Sequence, residues 1–286
     1  MQSEFTVGVA VTVGCGDIPV MRVLAPNASA MTGPGTNTYL LGRERLAIVD
    51  PGPADPVHTG NLLRALQGRP VEGIFVTHTH SDHSPGTAVL LQHLEAPVIG
   101  LPAPPGSGQD PGFRPSRHYT DGDIVHLSEF SMRLLHTPGH VSNHLCFLLE
   151  ADGMLFCGDH ILEGMTPVIL PPDGSMKAYL DSLVRLASEP IRLLAPAHGR
   201  VMDEPQQVIQ RLIRHRLQRE RRLLSVLAAQ GGDILALPLL TERVYEEVPK
   251  HLLPWAQRTL LAHLIKLEQE GRAHQLGEGW QLAVPQ

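Results

Sequence analysis

The chain has 286 residues, 42% hydrophobic and 18% charged, which is enough to bury a sizeable core and long for one compact domain. Three cysteines (Cys15, Cys146, Cys157) without CxxC spacing imply neither a disulfide framework nor a thiolate zinc site, and no apolar run is long enough to span a bilayer. The net charge of −6 is uneven: residues 1–204 carry 12 basic and 21 acidic residues, residues 205–286 carry 11 and 8. That shift puts a domain boundary near Glu204-Pro205 and leaves nucleic acid open as a partner of the second part only.

In chain order, Thr38–Gly42 and Leu46–Asp50 read as a hairpin ending at Pro51-Gly52. A helix fits Pro56 to Leu66, and Gly73–Thr77 reads as a buried strand. Gly86 to Leu94 suits a helix and Pro97–Gly100 the next strand. Residues 102–115 hold eight Pro or Gly in fourteen positions and are expected to form an irregular, functional loop. Strands follow at Ser131–His136, His144–Leu149, Met154–Cys157 and Arg192–Ala195, with a helix at Met176–Ala187. Beyond residue 204, helices over Gln206–Ala229, Leu239–Val248 and Pro254–Glu270 precede two short strands around Gly277-Glu278-Gly279, a winged-helix-like order.

The chemistry-bearing residues lie at strand ends. His78, His80, Asp82 and His83 occupy the turn between an apolar strand and a helix, where side chains freed from the ladder can converge. His140 follows Thr137-Pro138-Gly139, Asp159 follows Gly158, and His198 sits in Pro196-Ala197-His198-Gly199. Each is flanked by Pro or Gly that permit close backbone approach. A His-x-His pair followed by Asp-His suits two metal ions about 3.5–4 Å apart, and Asp159 offers a carboxylate able to bridge them. Nitrogen and oxygen donors without thiolate suit Zn²⁺, with Mn²⁺ or Fe²⁺ as alternatives.

This pattern, His78-x-His80-x-Asp82-His83, then His140, Asp159 and His198, closely resembles the signature of the metallo-β-lactamase superfamily. The resemblance covers about residues 20–200, with the motifs in the expected order. It implies an αββα sandwich over residues 1–204. It also implies two Zn²⁺ per chain, one held by His78, His80 and His140, the other by Asp82, His83 and His198, with Asp159 between them. Asp50, in Ile48-Val49-Asp50-Pro51-Gly52, matches an earlier structural Asp and is expected to hold a ligand histidine from behind. The implied reaction is hydrolysis by a metal-bridging hydroxide, with Asp82 and Asp159 as catalytic residues.

An Asp at 159, where well-known zinc β-lactamases place Cys, argues against β-lactam hydrolysis. Thr137-Pro-Gly-His140-x-x-x-His144 looks like glyoxalase II thioesterases. Gly35 to Gly42 and the C-terminal module resemble the lactamase-like subfamily that adds a winged helix (residues 205–286) and includes single-strand-specific endoribonucleases. One departure is Ser84-Pro85-Gly86, where many relatives have a glycine pair. The favoured substrate is a small acyl thioester or similar ester; the alternative is single-stranded RNA, and a winged-helix nucleic-acid-binding regulator is a reading of another class. His144 reads as a partner behind the ligands, with a general acid as the other option, a role also open to His118 and His160. Asn37 and Tyr39 read equally as substrate contacts or as buried strand residues. Six arginines between 211 and 222 fit a solvated face or a homodimer contact better than a phosphate track, because no aromatic interleaves them. The cysteine usage and the start at Met1-Gln2-Ser3-Glu4 point to a cytoplasmic protein without a membrane partner.

Overall fold

The computed structural model describes residues 5–14 and 16–283, so the readings that touch Met1–Glu4 and Cys15 lie outside the described residues. The chain divides into two compact units. The first takes residues up to Thr137, Asn143–Pro167 and Ser188–Pro205; the second takes Pro138–Ser142, Val168–Ala187 and everything from Gln206.

In the first unit, β1 (Ala10–Thr12), β2 (Val20–Leu24), β3 (Asn37–Leu41), β4 (Leu46–Val49), β5 (Val71–Phe75) and β6 (Val98–Ile99) form one sheet in sequence order. β7 (Ile124–His126), β8 (Ser131–His136), β9 (Leu145–Leu149), β10 (Met154–Gly158) and β11 (Leu193–Pro196) form a second, in reverse order. The two sheets face each other across one core. Tyr39, Leu41, Val49 and Phe75 of the first sheet meet Met132, Leu134, Phe147 and Phe156 of the second. The opposite face of the first sheet is covered as well: Leu40, Ile48 and Ile74 pack with Leu62 and Leu66 of α1 (Pro56–Leu66). Strands buried on both faces need apolar residues at every position, which is why β4 reads Leu-Ala-Ile-Val without alternation. The edge strands β1 and β7 are largely exposed and only three residues long.

Local signals set the helices. Asp55 caps α1 by accepting the His58 N–H at 2.8 Å, Pro56 needs no amide partner at the first position, and Gln67 closes the helix with φ 53°. α2 spans only Gly86–Leu90, shorter than the expected Gly86–Leu94. Beyond Leu90 the bonds tighten to three-residue steps, Gln92 N–H to the Val89 carbonyl at 3.2 Å and His93 N–H to the Leu90 carbonyl at 2.8 Å, so residues 91–93 form turns rather than α-helix. β4–β5 and β10–β11 are parallel pairs. Their carboxyl ends therefore point the same way, and the loops that leave them carry Asp50, the 77–83 turn, Asp159 and His198.

The second unit contains α3 (Met176–Leu186), α4 (Pro205–Ala228), α5 (Leu237–Val244) and α6 (Leu253–Gln269). Its small sheet has the order β12 (Leu235–Ala236), β14 (Gly279–Leu282), β13 (Ala273–Leu276). Trp280 fills the core among Leu223, Leu240, Leu260 and Leu264. Three of the six α4 arginines are engaged within this unit. Arg216 is buried, Arg219 pairs with Glu247 at 2.7 Å over the Tyr245 ring, and Arg222 pairs with Glu247 at 3.0 Å. Glu220, also buried, joins Lys266 at 2.6 Å and Arg272 at 2.7 Å. No helix among the described residues is long and apolar enough to cross a membrane.

Candidate metal centre

The turn after β5 holds four of the expected ligands, and buried polar groups fix how they present their nitrogens. Asp50 sits at φ 49° just past β4. Its carboxylate accepts the Thr77 N–H at 2.7 Å, the Thr77 hydroxyl at 2.7 Å and His83 Nδ1–H at 2.9 Å. Since the Thr77 hydroxyl gives its proton to Asp50, its oxygen is left to accept from His78 Nδ1 at 3.1 Å. Both rings thus carry the proton on Nδ1 and present Nε2. His198 follows the same rule, with Nδ1 on the Gly35 carbonyl at 3.2 Å, and so does His140 within the second unit, with Nδ1 on the Val168 carbonyl at 2.7 Å. A neutral imidazole whose Nδ1–H is tied to an acceptor has its Nε2 lone pair aimed outward, the tautomer a metal ligand needs.

In the first unit these atoms gather into two groups. His78 Nε2 and His80 Nδ1 are 2.8 Å apart, and Asp159 offers an oxygen to the same group, with all donor atoms within 4.8 Å of one another. Because the His78 proton is on Nδ1, the contact with His80 must be bridged by one proton or by a cation. Asp82, His83 and His198 form the second group within the same limit. Asp159 faces both: Oδ1 lies 3.2 Å from His198 Nε2 and 3.6 Å from His83 Nε2, while Oδ2 lies 4.0 Å from His78 Nε2. Asp82 Oδ2 is 3.4 Å from His83 Nε2 and 3.5 Å from His198 Nε2. Ligand atoms around a tetrahedral Zn²⁺ with bonds of 2.0–2.1 Å stand about 3.4 Å apart, and the spacings of 3.4 and 3.5 Å in the Asp82, His83 and His198 group match that, while the 2.8 Å between His78 and His80 is shorter.

The electrostatics agree. Burial alone would strip the proton from His83, yet Asp82, Asp159 and Asp50 pull its pKa well above the usual imidazole value. Burial likewise opposes a proton on His198, but Asp159 outweighs it and raises the pKa. Burial would neutralise Asp159, and His198 and His83 hold it well below the ordinary carboxylate range. Asp82 is held down the same way, by His83 foremost, against its own burial. Two half-buried carboxylates between three buried imidazoles favour positive charge at this point. His78, buried and crowded by His83 and His80, goes the other way and stays neutral.

Behind the donors lie residues the sequence did not single out. Thr36 donates to Asp82 Oδ2 at 2.8 Å and is itself held by Asn27. His58 on α1 bonds Thr38 Oγ1 at 2.8 Å, and Thr38 gives its own proton to the Asp50 carbonyl at 2.7 Å. His58 thereby braces the loop that sets Asp50. The available signals were Thr77 directly before the His-x-His pair and Thr36 beside Asn37. Asn37 is fully buried: its amide donates to the carbonyls of Pro196 at 3.0 Å and Gly199 at 2.9 Å, while the Tyr39 hydroxyl donates to Pro196 at 2.7 Å. Both hold the loop that presents His198. His144 is buried with Nδ1 on Thr137 Oγ1 at 2.9 Å, its ring 5.2 Å from that of His78 and 5.7 Å from that of His160. His160 is buried and His118 exposed.

Comparison with known proteins supplies the family. Residues 31–198 match the metallo-beta-lactamase superfamily model, and residues 237–280 match the beta-lactamase associated winged helix domain. The chain is 33% identical over 270 residues to a beta-lactamase-like protein 2 homolog of Drosophila melanogaster, covering 88% of this chain and 89% of that one. It is 30% identical over 259 residues to an atrochrysone carboxyl ACP thioesterase of Aspergillus chevalieri, covering 85% and 80%. Its fold is shared with a beta-lactamase domain protein from Burkholderia ambifaria, at TM-score 0.82 and 22% identity over 99% of this chain and 96% of that one.

Proposed function

The chain belongs to the metallo-beta-lactamase superfamily, as an α/β-sandwich hydrolase with a C-terminal winged helix, and from that premise we propose that it is a binuclear zinc enzyme cleaving small acyl thioesters. The observation that carries the reading is Asp159, whose two oxygens divide between two groups of nitrogen donors. One ion would be held by His78, His80 and His140 and the other by Asp82, His83 and His198, with Asp159 as the carboxylate that could serve both. The thioester class is supported by the relative named as an acyl-carrier-protein thioesterase. Residues 1–204 are proposed as the catalytic domain and residues 205–286 as the accessory one. Two described cysteines, Cys146 and Cys157, are buried and joined in no disulfide, in keeping with the proposed cytoplasmic setting.

When bound, the ions supply Lewis acidity that lowers the pKa of water and draws charge from the scissile carbonyl. The chain's own residues do the rest. Asp50 and Thr77 hold Nδ1 of His83 and His78, so Nε2 is the ring atom each turns towards the other donors. Thr36 holds one oxygen of Asp82, which leaves its carboxylate oriented to take the proton of the attacking water. A thiolate leaves without proton assistance, so a thioester needs no separate acid, and His144 serves to hold the ring array from inside.

The test is a side-by-side assay on acyl thioesters, single-stranded RNA and a β-lactam, with chelator-treated protein as control. Metal-dependent thioester turnover is expected, falling at least about a hundredfold in Asp159→Ala. RNA cleavage without thioester turnover would replace the substrate reading.

A further inference from the structure

The turn carrying His80, Asp82 and His83 is held at both of its ends by two consecutive residues of the Pro/Gly-rich loop. At the start of the turn, the Asp110 N–H donates to the Thr79 carbonyl at 2.8 Å and the Thr79 hydroxyl donates to Gln109 Oε1 at 2.7 Å. At the end, the Ser84 hydroxyl donates to Asp110 Oδ2 at 2.8 Å. The other oxygen of Asp110 accepts the Gly112 N–H at 2.8 Å, so this one carboxylate ties the loop to itself and to the turn. Asn143 adds a third tether, donating to Thr79 Oγ1 at 2.8 Å and to the Pro102 carbonyl at 3.1 Å, where the loop begins. Gln109, Thr79 and Ser84 are all buried, so water does not replace these bonds when they are lost.

We propose that Asp110 is a positioning residue of the metal centre: it clasps residues 79 and 84 and so sets the spacing of the three ligands between them. The proposal rests on the metal-centre reading above. It also gives the loop a purpose that its composition hides. Five prolines and three glycines forbid regular structure, and a two-residue clasp is what makes such a segment a fixed wall beside the ligands.

The test reads Zn²⁺ affinity by competition with a chelator and uses no substrate. Asp110→Ala and Ser84→Ala are each expected to weaken Zn²⁺ binding by roughly tenfold. The double variant is expected to be no weaker than Asp110→Ala alone, because that substitution already removes the bond to Ser84. Asp110→Asn has the same charge loss as Asp110→Ala but keeps an oxygen for Gly112 and an amide that can donate to Ser84 Oγ, so it is expected to restore most of the affinity. Wild-type affinity in a folded Asp110→Ala, or independent losses that add in the double variant, would overturn the clasp. If Asp110→Ala does not fold, Ser84→Ala and Asp110→Asn decide alone. Wild-type protein that fails to bind Zn²⁺ would instead overturn the metal-centre reading, and the clasp with it.

Discussion

At the scale of single residues, the recurring device is a buried hydrogen bond that chooses which imidazole nitrogen faces outward. Asp50, Thr77 and the Gly35 carbonyl do this for His83, His78 and His198. The support continues one residue further back, to His58. Thr38 gives its hydroxyl proton to the Asp50 carbonyl, so His58 must donate from Nε2. Burial lowers the His58 pKa from 6.5 to about 4, against a weaker opposing pull from Asp55. A base with a depressed folded pKa stabilises fully above its unfolded value. That contribution is lost as pH falls from 6.5 towards 4, where the unfolded chain takes up a proton that the folded one refuses. The gap corresponds to roughly 3 kcal/mol. Urea unfolding of wild type and His58→Gln, which retains a donor to Thr38, should show their stability difference shrinking by about that amount over this interval; a difference constant with pH would contradict the assignment.

At the scale of elements, the strand ends decide where the donors go. Gly158 closes β10 at φ 48°, and a Cβ there would lie 2.6 Å from His144 Nε2 and 2.7 Å from Thr77 Oγ1, both buried. Gly158→Ala is therefore expected to lower stability by about 2–4 kcal/mol, from the left-handed backbone and overpacking combined. It should also weaken metal binding, because Asp159 is the next residue. Unchanged thermal unfolding and metal content in this variant would contradict that packing. The helices and the strands that carry donors were legible in the sequence because they are long, apolar and punctuated by Pro or Gly. α1 spans Pro56–Leu66 as expected, and α3, α4 and α6 fall within two residues of their expected ends. β1 and β7 were not legible: three-residue exposed edge strands leave no periodic signal. β2 escaped because its buried residues run on from an irregular segment. The donor residues were readable by type and spacing, whereas their supports were not. Thr36 bonds Asp82 across 46 positions of chain, Asp110 bonds Ser84 across 26 and His58 bonds Thr38 across 20, and no local pattern encodes such contacts.

At the scale of the whole molecule, charge and chemistry separate. The acidic excess belongs to residues 1–204, which also carry the donor cluster, and the basic excess belongs to residues 205–286. Much of that basic charge is used inside the second unit, by Glu220, Glu246 and Glu247, which leaves Arg211, Arg214 and Arg221 as the exposed remainder of α4. A short, interrupted row of three arginines with no aromatic neighbour in the run is a poor track for a single strand, and this agrees with placing the substrate at the donor cluster of the first unit. Everything in the functional reading depends on Asp159 standing between two ions. The most direct measurement is anomalous diffraction at the zinc edge from crystals of the Zn²⁺-loaded protein. Two peaks about 3.5–4 Å apart are expected, one beside His78 and His80, the other beside Asp82, His83 and His198, with one Asp159 oxygen on each. A single peak, or two that Asp159 does not join, would contradict the binuclear centre.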